Sequence, residues 1–92
     1  MPARTVAYTI SASQAATLYK AITLRSRGAA LMDDYRVLLD AQAALRAGRH
    51  EINNHQAPAA IRCLEYAVLA SEDLFFIQRC DQLAEFIKTN FR

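Results

Sequence analysis

The chain reads as all-α: four helices in two antiparallel hairpins, preceded by a short extended N-terminal arm over residues 1–10. Three observations carry this. Apolar residues recur at helical intervals over most of the length. The 92 residues contain two glycines and two prolines, too few for a loop-rich or all-β chain. One segment alone, residues 4–10, alternates with the period of a strand.

Taking the elements in order, "RTVAYTI" places Val6, Tyr8 and Ile10 on one face and Thr5, Ala7 and Thr9 on the other. A lone strand in a helical chain must satisfy its backbone groups elsewhere. It is expected to pair with its copy in a dimer or to lie extended across the helices. "SASQ" follows, and Ser11 with Gln14 is a capping-box spacing that starts the first helix. Ala15, Leu18, Tyr19 and Ile22 form its apolar face, Lys20, Thr23 and Arg27 its polar stripe, and Gly28 its end.

Leu31, Leu38, Leu45 and Ile52 recur every seven residues, with Tyr35 beside them. The period predicts a second helix running to about Asn53, and a break at Gly48 is the alternative. "NNHQAP" is then a corner, since Asn tolerates left-handed geometry and Pro58 suits a first helical turn. A third helix is expected over 57–70, with Ala60, Ile61, Cys63, Leu64, Ala67 and Val68 inward and Arg62, Glu65 and Leu69 outward. Ser71, with Glu72 and Asp73 after it, is expected to cap the fourth helix. Its main stripe is Phe76, Cys80, Leu83, Ala84, Ile87 and Phe91, and Phe75 and Phe86 form a second ridge beside it. Together these span more of the helix than one packing surface needs. The whole is one domain, 1–92, with no internal repeat or linker.

Composition narrows function. The chain is 53% hydrophobic and 22% charged, which describes a folded protein. Its net charge of +2 does not by itself imply a polyanion partner. No apolar run approaches the roughly 18 residues that cross a bilayer. Residues 1–32 hold Arg4, Lys20, Arg25 and Arg27 and no acid, a composition shared with mitochondrial targeting peptides. No charged start followed by a long apolar block suggests secretion, and the expected compartment is the cytoplasm.

Catalytic chemistry has little to work with. His50 and His55 stand five apart across a helix end, whereas metal-binding pairs on one helix face stand four apart. They read as solvated corner residues beside Glu51, and no metal or cofactor is expected. Cys63 and Cys80 lie opposite each other if the last two helices form a hairpin. Their apolar settings suit structural thiols rather than a redox pair. There is no nucleophile elbow and no glycine-rich phosphate loop. The expectation is a protein that is not an enzyme.

Binding remains, and two resemblances bear on it. Strand, helix, Gly28 and helix over residues 4–47 resemble a ribbon-helix-helix DNA-binding protein. That resemblance implies a dimeric regulator with Thr5, Ala7 and Thr9 facing bases, supported by Arg4, Lys20, Arg25 and Arg27. The second helix of that pattern begins Met32–Asp33–Asp34, which phosphate would repel. "AAIRCLEYAVLAS" resembles the second helix of a tetratricopeptide repeat, with Ala60, Leu64 and Ala67 at packing positions and Gly48 in the preceding helix. This implies a groove for a partner peptide or helix. The favoured expectation is a small adaptor, chaperone or inhibitor, homodimeric, that binds another protein. Its surface would be the ridge of Phe75 and Phe86, with Tyr19 and Tyr66.

Overall fold

The structure, a computed structural model, describes residues 4–26 and 35–91. Arg27, Gly28, Leu31 and the Met32–Asp33–Asp34 segment lie outside them. In chain order the elements are β1 (Ala7–Thr9), α1 (Ala12–Ser26), α2 (Tyr35–Arg46), β2 (Glu51–Asn53), α3 (Ala57–Ala70) and α4 (Leu74–Asn90). Helix dominates, as the periodicity predicts, but the all-α expectation needs correction: β1 and β2 form a small antiparallel sheet.

The Ser11–Gln14 box is present. The Gln14 N–H donates to Ser11 Oγ at 3.0 Å, and the Ser11 N–H donates to Gln14 Oε1 at 2.8 Å. Two N–H groups that a helix start leaves without partners are thereby satisfied. Ala15, Leu18, Ala21 and Ile22 then bury one face of α1.

The second helix stops earlier than its seven-residue period suggests. Arg46 is its last residue, and Gly48 adopts φ +87°, a left-handed conformation. The Arg49 N–H reaches back to the Ala44 carbonyl at 2.9 Å, and the Gly48 N–H to the Leu45 carbonyl at 3.0 Å. This is a Schellman ending, which supplies partners to carbonyls at the helix end. The period nevertheless continues through the break, because Leu38, Leu45 and Ile52 are all buried. Ile52 reaches the core from a strand instead of a helix. A Cβ on Gly48 meets no atom within 4 Å, so only backbone strain opposes Gly48→Ala. That strain is about 1–2 kcal/mol. A thermal melt should therefore show a fall of roughly 4–16 °C.

The arm finds its partner within the chain. Tyr8 pairs with Ile52, Ala7 with Asn53 and Thr9 with Glu51. The Asn54 amide extends this attachment. Its backbone N–H donates to the Val6 carbonyl at 2.9 Å and its side chain accepts from the Val6 N–H at 2.8 Å. The Asn54 Nδ2 also donates to the Arg4 carbonyl at 3.0 Å. The corner is locked locally, because Asn53 Oδ1 accepts from the N–H groups of His55 and Gln56, both at 2.9 Å. Residues 47–61 thus act as a structured corner that anchors the arm.

α3 begins and ends where the sequence places it, with Pro58 in its first turn. It folds back onto α4 across Ser71–Asp73, and these two helices make the most extensive packing in the chain. The two-hairpin arrangement holds only roughly, since α1 packs against α3 and α4 as well as α2. The shared core gathers Leu18, Ile22, Ile52, Leu64, Leu83 and Ile87, with both cysteines among them. Among the described residues no helix is long and apolar enough to cross a membrane.

Candidate partner-binding surface

The end of the α3–α4 hairpin is built by its caps. The Ser71 N–H closes α3 on the Ala67 carbonyl at 3.0 Å, and Ser71 itself is extended. The cap of α4 is Asp73, not Ser71. Its carboxylate accepts from the N–H groups of Phe75 at 3.0 Å and Phe76 at 3.2 Å. Ser71 acts one step back, its Oγ accepting from the Asp73 N–H at 3.1 Å. With the cap at Asp73, the first turn of α4 is Leu74, Phe75 and Phe76, and not the acidic pair expected there.

At 100° per residue only one of these three can face the core. Phe76 does so. Leu74 and Phe75 are left 77% and 78% exposed, and Leu69 at the end of α3 is 87% exposed. Three large apolar side chains therefore stand in water within seven consecutive residues, around one turn. Isolated exposed leucines are ordinary on protein surfaces, whereas three large apolar side chains this close in sequence at a hairpin tip are not, with Phe75 beside α1 and Leu69 on the side of Glu65, Val68 and Asp81.

Beside Phe75 lies an open cleft of about 240 Å³ between α1 and the start of α4, lined also by Thr17, Lys20, Asp73, Phe76 and Arg79. The Lys20 ammonium sits 4.5 Å from the Phe76 ring centroid and 3.9 Å from the Asp73 carboxylate. Both charged groups of that ion pair are more than half exposed, so it contributes little to stability. Arg79 is exposed on the same rim, and among the described residues no acid pairs with it.

The residues expected to bind a partner are not brought together. Phe86 is half-buried and packs against the core, so it forms no exposed ridge with Phe75. Tyr19 also packs against the core, and its hydroxyl accepts from Arg46 Nη2 at 2.8 Å and Nε at 3.2 Å. Tyr66 is covered by the Arg25 guanidinium, 4.3 Å from its ring centroid. Of the basic set, Lys20 and Arg25 are thus engaged on aromatic faces. Arg4, Thr5 and Thr9 are exposed along the arm, and Arg27 lies outside the described residues. The strand that a ribbon dimer would form from two copies is here paired on one edge with β2. Leu69 was legible as outward-facing. Leu74 and Arg79 were missed, because their roles depend on which of two cap residues starts α4.

His50 and His55 are both exposed and stand in different settings. His50 edges a shallow cleft formed with Ala12, Ala15, Tyr19 and Leu45, and His55 sits in the Asn53–Gln56 turn. Among the described residues no three His, Cys, Asp or Glu side chains gather as a metal site. Cys63 and Cys80 are buried thiols. Burial pushes the Cys80 thiol from 9.0 up to about 11, with Asp81 adding to the rise and Lys20 opposing it. The folded state therefore holds this proton more tightly than the unfolded chain does. Its contribution to stability is full below pH 9 and is lost as pH climbs towards 11. Urea midpoints at pH 8 and pH 10.5 should differ in that direction, and Cys80→Ala should reduce the difference.

No protein-family model, no curated protein and no solved structure matches the chain.

Proposed function

We propose that the chain is a non-catalytic protein-binding module that docks a partner protein through the apolar corner of Leu69, Leu74 and Phe75. The observation that carries this reading is the exposure of those three side chains around one capped turn. The capped turn fixes the backbone that presents them, which lowers the ordering cost of docking to that of the side chains themselves. Phe75 is the natural anchor, with exposed Arg79 on the rim beside it. An adaptor, a chaperone or an inhibitor would each use such a surface.

The DNA-binding alternative has less support, because Lys20 and Arg25 are already engaged on aromatic rings. A pull-down from extract of the source cells separates the two. The module should retain a protein partner after nuclease treatment and through Lys20→Ala and Arg25→Ala. It should lose that partner on Leu74→Asp with Phe75→Asp. A partner that disappears with nuclease, or with the loss of the two cations, would reject the proposal.

A further inference from the structure

We infer that β1 uses its outer edge to pair antiparallel with β1 of a second copy, joining two chains through a four-stranded sheet ordered β2-β1-β1-β2. The inference is independent of the apolar corner and rests on the parity of the strand. The links from β1 to β2 run through even-numbered residues. The Ile10 N–H donates to the His50 carbonyl at 2.9 Å, the Val6 carbonyl accepts from the Asn54 N–H at 2.9 Å, and Tyr8 faces Ile52 between them. In an antiparallel pair the residues between hydrogen-bonded positions turn their amides and carbonyls the other way. Ala7 and Thr9 therefore present N–H and C=O groups to the opposite edge, and both residues are exposed.

Strand edges that stay single are normally blunted by Lys, Pro, a bulge or a covering element. The three-residue length of β1 is itself one way an edge is blunted, but none of the side-chain devices is present: no charged residue, proline or glycine occurs from Thr5 through Tyr19. Pairing about a two-fold at Tyr8 sets Ala7 against Thr9 of the second copy, and Thr9 against its Ala7. That register satisfies all four outward N–H and C=O pairs at once. It opposes no like charges, since Arg4 falls beyond the ladder, across from Ala12 of the second copy.

The side chains suit the same register. Val6 is 42% exposed although it shares a face with buried Ile10. In the two-fold pairing it stands across from Ile10 of the second copy, in the closer type of antiparallel pair. Tyr8, half-buried with its ring 4.5 Å from Phe91 in an edge-on contact, would meet its own copy at the axis. The core face of the sheet thus continues across the two-fold, which an unrelated strand would not provide. This isologous arrangement also closes on itself.

Amide exchange on the wild-type chain tests the edge directly, alongside sedimentation velocity over a concentration series. Sedimentation should show a monomer–dimer equilibrium. Under dimeric conditions the Ala7 and Thr9 amides should exchange about tenfold or more slower than in the diluted monomer. The Tyr8 and Ile10 amides, bonded within the chain, should stay protected at both. Charge variants give the second reading. Ala7→Lys with Thr9→Lys, and Ala7→Glu with Thr9→Glu, should each be monomeric, and their mixture should dimerise. A monomer at every concentration overturns the inference. So does a dimer in which Ala7 and Thr9 exchange freely, or one that survives both charge variants and dissociates on Phe75→Asp. Only the last of these outcomes involves the hairpin tip, and it would move the dimer contact there; the exchange and charge-variant readings do not depend on the partner surface.

Discussion

Replacing Leu64 with alanine should remove about 3 kcal/mol of folding free energy. Leu64 is fully buried at the middle of α3, where that helix meets both α1 and α4. Truncation loses its transfer free energy and leaves a void that close-packed neighbours fill only in part. A domain of this size has roughly 5–10 kcal/mol in all. The variant should melt roughly 12–24 °C lower and unfold at much lower urea. Leu69→Ala, five residues further along the same helix, should stay within about 0.5 kcal/mol of the parent, because that side chain is almost wholly in water. The pair separates burial from hydrophobicity: same residue type, same helix, opposite outcome.

Leu74→Asp combined with Phe75→Asp should produce the reverse pattern, an intact fold that no longer holds its partner. Neither side chain belongs to the core cluster. Both occupy the first turn of α4, where a carboxylate is favoured by the N–H groups of the helix start, by about 0.3–1 kcal/mol each. The melting temperature should therefore hold or rise slightly. Partner affinity should fall at least about 100-fold, the scale expected when an aromatic anchor of an interface is removed and charge is set in its place. Phe86→Asp should behave differently and destabilise the chain, since Phe86 packs against the core.

Local signals in the sequence located much of this fold. The Ser11–Gln14 box and the bounds of α3 depend on neighbours a few residues away, and both stand where spacing puts them. The inward stripe of Phe76, Cys80, Leu83, Ala84 and Ile87 follows from the 3.6-residue period in the same way. Ile52 shows where such reasoning stops. Its spacing from Leu45 fits another two helical turns, yet a three-residue strand after the Gly48 ending buries it equally well. β2 itself is Glu51–Ile52–Asn53, too short to show alternation, so the partner of β1 was hidden.

The candidate site was less legible for a related reason. Ser71 and Asp73 are both good caps, and the choice between them decides whether the first turn of α4 is acidic or apolar. Placing the cap at Ser71 hid Leu74 and drew attention along the helix to Phe86. Phe75 and Phe86 lie on one side of α4, but only contact with the rest of the core distinguishes the exposed ring from the packed one.

The claim that the hairpin tip is a docking surface is tested most directly by photo-crosslinking in source cells. Benzoylphenylalanine would be placed at position 75, and in a control chain at Gln82, an exposed polar position on the same helix. A discrete protein adduct should form from position 75 and not from position 82. Wild-type chain should compete it away, and the Leu74→Asp, Phe75→Asp chain should not. Equal labelling from both positions, or an adduct that the double variant competes as well as the wild type does, would contradict the account.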